Sequence, residues 1–182
     1  MTNDLYSVDF LSLDVRSKDL HEKISKRLKV EYLTDSYHQE LKVVSGIIFG
    51  PDLKIIVSLP VKIKQKTKNV HFVVDTGSPK TFVCEEVYES FKVTIPDSTV
   101  HHILLNNKPT VVYLPPINSN FMDINVLGTE YLKAVGANLT VNFDNEYVSI
   151  SFEYDEIRIL PQLGQMVESN ISVGIIGVGL LT

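Results

Sequence analysis

An all-β domain with short accessory helices is the fold class this sequence predicts, and three observations carry that reading. Between Ile47 and Phe152 the apolar residues fall in short β-branched or aromatic runs. Proline, asparagine and polar lysine-containing segments separate those runs at turn spacing. Helical periodicity is confined to three brief stretches. At 182 residues, with 44% hydrophobic and 21% charged residues, the chain has the composition of an ordinary globular protein built around one core. It divides into a mixed α/β extension (1–45), the all-β domain (46–152) and a C-terminal segment (153–182).

In the extension, Val8, Phe10 and Val15 hint at a strand, while Leu20, Ile24 and Leu28 fall at helical spacing within Lys18 to Leu28. The charges between them (His21, Glu22, Lys23, Lys26, Arg27) suit the solvated face of a docking helix better than a membrane or partner helix. Strands are expected at Lys54–Leu59, Val61–Lys64 and Val70–Val74, separated by Pro60 and a Lys66–Asn69 turn. The alternation Lys62, Lys64, Lys66, Lys68 reads as a solvated, edge-protecting strand face and not as an anion site. A helical turn is expected from Cys84 to Phe91. A hairpin follows, Ile103–Leu105 and Thr110–Leu114, turning at Asn106–Pro109 because Asn tolerates positive φ. Thr129 to Val135 reads as a short helix capped by Thr129 and closed by Gly136. Leu139–Phe143 and Tyr147–Phe152 form a second hairpin across Asp144–Asn145.

Composition excludes several functions. A net charge of −5 and a pI near 5.5 leave no clustered cationic surface for nucleic acid. No apolar run is long enough to span a bilayer, the nearest being Ile171 to Thr182. No basic-then-apolar segment opens the sequence, so no secretory leader is expected. The single Cys84 fits a reducing, cytoplasmic setting, and the Asn138 and Asn170 glycosylation patterns read as incidental.

The sharpest feature is Phe72-Val73-Val74-Asp75-Thr76-Gly77-Ser78, continuing Pro79-Lys80-Thr81-Phe82-Val83. An apolar strand runs straight into a carboxylate, and a glycine two residues later permits a sharp turn. Asp, Gly and Ser are also ordinary turn formers. The tetrapeptide Asp-Thr-Gly-Ser arises by composition alone in about a few chains per thousand of this length, and fewer with flanking apolar strands.

This loop resembles that of the aspartic proteases, where an apolar pair precedes Asp-Thr-Gly-Ser or Asp-Thr-Gly-Ala. A second stretch, Ile124-Asn125-Val126-Leu127-Gly128 with Thr129–Leu132 and Gly136–Phe143, is similar to the last third of retropepsins, the retroviral and retrotransposon-type branch. The similarity covers residues 55 to 152. It implies a small closed β-barrel, a retroelement-type or domesticated origin, and an endopeptidase that uses water and no metal or organic cofactor. One Asp-Thr-Gly per chain implies a homodimer, because the chemistry needs two carboxylates. Asp75 is then the catalytic group of each subunit. Thr76 would link the two loops, Gly77 would admit and bind substrate backbone, and Ser78 would hydrogen-bond the carboxylate. Leu127 and Gly128 would support the loop by packing. Peptide or protein substrates are expected, and neither nucleic acid nor membrane.

A typical retropepsin fits two hairpins between the loop and Leu127-Gly128, the first being the flap over the substrate. Here one hairpin is clear. Either it is the flap, or it is the second hairpin and the flap has shrunk to Thr94–Val100 with Pro96-Asp97-Ser98 at its tip. A short flap favours an alternative function, a non-catalytic dimerisation or peptide-binding module; an immature precursor is a third possibility. The 153–182 segment reads as dimer-forming or as a cut end of a longer chain.

Other groups carry less. His21, His38, His71, His101 and His102 lack carboxylates or cysteines at ligand spacing, so no metal site is expected. Cys84, beside Glu85 and Glu86, reads as a buried thiol and not a nucleophile. Gly174, Gly177 and Gly179 lack the helix and Lys of a phosphate loop.

Overall fold

Short β-branched and aromatic runs carry the chain through eight strands in the computed structural model, which describes residues 14–95 and 100–152. They are β1 (Val43–Phe49), β2 (Lys54–Ile63), β3 (Lys66–Val74), β4 (Val100–Leu105), β5 (Lys108–Tyr113), β6 (Val126–Leu127), β7 (Ala137–Asn142) and β8 (Tyr147–Phe152). Short helices occupy Glu85–Ser90 and Thr129–Ala134.

All pairings are antiparallel except β3 with β6, and the order runs β5-β4-β2-β1-β8-β7, with β3 also on β2 and β6 on β3. The expected closed barrel is not formed. Of the outer strands, β6 is only two residues long, too short for a ladder of its own. Its link to β5 runs through single bridges made by Phe82 to Tyr113 and to Val126. The other arm runs away through β1 and β8 to β7. The sheet stays open.

Pro60 does not divide the chain as expected, and β2 passes straight through it. Its carbonyl accepts the Asn106 N–H at 2.8 Å, so its nitrogen faces the same edge. On that edge β1 ends opposite Val57 and β4 begins opposite Val61, so the missing N–H falls in a gap where no partner waits. Lys66–Asn69, read as a turn, lies inside β3, and the chain turns instead at Lys64 and Gln65, with Lys64 at φ 56°. The next hairpin turns on Asn106 and Asn107, at φ 48° and 62°, the two positive values that a two-residue turn requires.

The segment from 14 to 42 is built into the core of the sheet. A helical stretch over 17–28 contains a π-turn at Leu20–Ile24, and Leu20 and Ile24 are fully buried with Ile56, Leu59 and Phe72. Lys68 departs from the solvated reading of the lysine series. Its ammonium donates to the Leu33 carbonyl at 2.8 Å and pairs with Asp35 at 3.7 Å, fastening this segment to β3. Buried Asn106 grips Leu41 through both ends of its side-chain amide, at 2.6 and 2.9 Å. The Val8 and Phe10 strand hint, Pro96-Asp97-Ser98, and the 153–182 segment with its glycines lie outside the described residues. No helix among the described residues is long and apolar enough to cross a membrane.

Candidate active site

Strand β3 enters the site buried on both faces from Val70 to Val74, the pattern of a strand with neighbours on every side. Strand β6 lies parallel beside its end, with Val73 opposite Val126 and Val74 opposite Leu127. The Asp75 N–H donates to the Leu127 carbonyl at 3.0 Å, so the carboxylate stands where the ladder stops. Asp75 is half-buried, and Thr76 and Gly77 beyond it are exposed.

The loop then folds back on its own aspartate. The Gly77 N–H donates to Asp75 Oδ1 at 2.9 Å, and the Ser78 N–H donates to the Asp75 carbonyl at 3.3 Å. A Cβ on Gly77 would stand 3.2 Å from that same Oδ1, which makes glycine the fitting residue for this turn. The Ser78 hydroxyl departs from expectation: it donates to the Lys80 carbonyl at 3.0 Å and not to the carboxylate. Two residues on, a backbone acceptor is nearer to hand than the aspartate, and the loop is stiffened instead.

From below, residues 125–130 hold the loop at every turn. Phe82 and Val126 exchange both backbone hydrogen bonds, at 2.8 and 3.0 Å. Thr129 donates its N–H to the Ser78 carbonyl at 2.8 Å and its hydroxyl to the same oxygen at 3.2 Å. Thr129 is therefore the first helical residue and not the cap, a place taken by Gly128. Glu130 N–H donates to the Pro79 carbonyl at 3.0 Å, and Gly128 N–H to the Thr81 hydroxyl at 3.1 Å. A Cβ on Gly128 would meet the Lys80 carbonyl oxygen at 2.2 Å, so no side chain fits there. The two sequence motifs thus meet, with Leu127 and Gly128 beneath the Asp75–Ser78 loop.

A buried polar network that sequence reasoning did not find lies behind this floor. Asn125, fully buried, accepts the Cys84 N–H at 2.9 Å and donates to the Tyr32 hydroxyl at 2.8 Å and the His71 carbonyl at 3.0 Å. Ser25 donates to the Leu20 carbonyl at 2.7 Å and accepts the Tyr32 N–H at 3.0 Å. Its one proton is thereby used, so the His71 Nε2 contact at 3.1 Å runs from the imidazole to the hydroxyl. Burial pushes His71 down to about 4, with the Val30 carbonyl opposing and nearby His21 adding to the shift. Burial also raises the Cys84 thiol to about 11, with Glu86 a minor contributor; this is an inert packed thiol. The sequence signal was an amide directly before the Val126-Leu127-Gly128 run, which has no reason to be polar unless it satisfies buried backbone.

The hairpin β4–β5 is now placed. Its first strand pairs with β2, and Tyr113 at its end exchanges backbone bonds with Thr81 and Val83, at 3.0 and 2.9 Å. It is part of the sheet.

The sequence matches no protein-family model and no curated protein. Among solved structures, the chain is similar to a retropepsin-like aspartic protease from Rickettsia conorii, at 14% identity and a TM-score of 0.41, covering 64% of this chain and 97% of that one.

Proposed function

We propose that this chain is one subunit of an aspartic endopeptidase in which Asp75 from each of two copies forms the catalytic pair. The observation that carries the reading is the construction around Asp75. Its carboxylate is held by one backbone N–H at 2.9 Å, on an exposed loop fixed from beneath by residues 125–130. A carboxylate that stands partly open to solvent on a loop braced from beneath supports a chemical role, while its contact with the Gly77 N–H is also that of an ordinary Asx turn.

One carboxylate cannot act as acid and base at once. Two brought together cannot both ionise, so the pair holds one proton and titrates as a unit. The ionised member draws a proton from water while the protonated member donates to the substrate carbonyl. In this reading Thr76, exposed beside Asp75, meets the partner's loop. A second copy has an available edge at β7: its outer side is unpaired among the described residues, and Ala-Asn-Leu-Thr-Val-Asn holds no charge or proline to discourage pairing. The opposite edge, β5, is blunted by Lys108 and Pro109.

The second reading, a dimerisation or peptide-binding module without cleavage, has its own observation. With the hairpin committed to the sheet, the 92–99 stretch is short for a flap that would exclude water. Digestion of a mixed peptide library between about pH 4 and 7 decides between them, since a carboxylate pair holds one proton in that range. The native chain should cut, and Asp75→Asn should lose about a thousandfold or more of that activity while remaining folded. A sedimenting dimer that cuts nothing at any pH would assign the module instead.

A further inference from the structure

Two imidazoles pack against the Tyr32 ring, one matched by a carboxylate and one not. His21 lies edge-on to the ring at 4.9 Å, with its Nε2 2.6 Å from Glu86 Oε1 and its side chain partly open to solvent. His71, on β3, lies tilted at 5.1 Å and is fully buried. Facing His71 are the Ser25 hydroxyl, the Val30 carbonyl, the Tyr32 ring, and Ser58 opposite it on β2. Asn125 binds its backbone carbonyl, and Cys84 lies beyond Tyr32, its Sγ 3.8 Å from the hydroxyl. Among the described residues, the one ionisable group whose charge acts on His71 is His21, of the same sign. A proton on His21 therefore has Glu86 beside it, whereas a proton on His71 has a second imidazole and no carboxylate.

The stretch that covers His71 is irregular. Its helical pieces, 17–19 and 25–28, are separated by the π-turn at Leu20–Ile24. Lys29 and Leu33 take φ of 56° and 61°, left-handed values that side chains disfavour. Among the described residues, backbone bonds from this stretch to the sheet begin only at Leu33, whose N–H donates to the Asn69 carbonyl at 2.8 Å; Thr34 and Ser36 continue them. Residues 17–32 are held instead by bonds that involve side chains, among them Ser17 on Asp123 and Glu86, His71 on Ser25 and Asn125 on Tyr32, and by Leu20 and Ile24 in the core. Leu33 is thus the pivot between a stretch pinned to β3 and one that is not. Few backbone ties and an interrupted helix are the marks of a segment that opens before the rest.

We infer that residues 17–32 are an acid-released cover: a proton on His71 places a charge in the core beside His21, and the stretch lifts about Leu33 to admit water. Lifting it uncovers Cys84 and parts the Asn125 amide from the Tyr32 hydroxyl, which loosens the floor beneath the Asp75 loop from behind. The cover operates whether or not the chain cuts peptides.

Cys84, the single cysteine and 1% exposed, reports the opening. Its reaction with dithiodipyridine, a disulfide that labels thiols in acid as well as at neutral pH, is followed on the native chain between about pH 7 and 4.5 and normalised to the urea-unfolded chain. The normalised rate should rise about fiftyfold, the ratio set by a group that titrates at about 4 when covered and 6.5 when open. Hydrogen exchange over the same range should lose protection at 17–32 and keep it in β2 and β8. His71→Gln, whose amide still donates to Ser25, should flatten the rise, and His21→Gln should leave it in place. A rate that stays flat with pH, or a rise that persists in His71→Gln, overturns the inference. Protection lost from β2 and β8 together with 17–32 also overturns it, because the whole chain is then unfolding. Should His71→Gln fail to fold, exchange on the native chain decides by itself.

Discussion

Two polar constellations flank the same short segment, 125–130, and they are built on opposite principles. Behind it, Ser25, Tyr32, His71, Cys84 and Asn125 are buried and largely matched to one another. In front of it, Asp75 is half-buried with a single backbone donor on its carboxylate, and Thr76 and Gly77 face solvent. The first cluster satisfies the hydrogen bonds that burial demands and has no room for a reactant. The second leaves most of the carboxylate's hydrogen-bonding capacity unfilled by the described residues. The difference shows how one segment can be both anchor and stage: Asn125 turns inward to close the core, and two residues later the Leu127 carbonyl holds up the loop.

The comparison can be broken most completely at Gly128, where the segment touches the loop. Gly128→Ala would force a Cβ to within 2.2 Å of the Lys80 carbonyl oxygen, and backbone cannot yield as a side chain can. It should cost about 3 kcal/mol and displace the Asp75 loop, lowering denaturation midpoint and peptide cleavage together.

Asn125→Ala strikes the buried constellation alone. It strands the Cys84 N–H, the Tyr32 hydroxyl and the His71 carbonyl without water to replace the amide. A loss of about 2–3 kcal/mol in urea unfolding is expected. Any residual activity per folded molecule should be closer to native than in Gly128→Ala, which sharpens the division between the two sides.

The buried side should also answer to pH. His71 in the folded chain is held down to about 4 by burial, against 6.5 when exposed. Below about pH 6.5 the unfolded chain takes up a proton that the folded chain refuses, so stability is complete above that pH. It falls as pH drops toward 4, by up to about 3 kcal/mol. Urea midpoints measured from pH 7 to 4 should decline for the native chain and decline less for His71→Gln, whose amide can still donate to Ser25. The decline would overlap the acid range in which a carboxylate pair works.

The smallest effect belongs to the surface. Glu86 accepts from His21 at 2.6 Å and from the Ser17 hydroxyl at 3.0 Å, partly open to solvent. Glu86→Gln should change stability by less than about 1 kcal/mol, with cleavage unaffected.

Local chemistry wrote much of this molecule into its residues. Short β-branched and aromatic runs marked the strands, Asn106-Asn107 marked a tight turn, and Leu20, Ile24 and Leu28 marked the helical stretch, because each depends only on neighbours within a few positions. The apolar run into Asp75-Thr76-Gly77-Ser78 likewise exposed the candidate site, and the Leu127-Gly128 motif its support. What needed the tertiary structure was every choice between partners distant in sequence. Pro60 sits within a continuous strand because β1 and β4 leave a gap opposite it, which no local rule reveals. Lys68 looked solvated and binds the Leu33 carbonyl; Ser78 looked bound for the carboxylate and finds Lys80 first. The sheet stays open because β6 is two residues long and β8 pairs with β1, carrying β7 to the far edge. The β4–β5 hairpin belongs to the sheet because β2 offers it an edge. Strand propensity is a property of a segment, whereas pairing is decided by which edges the rest of the chain leaves free.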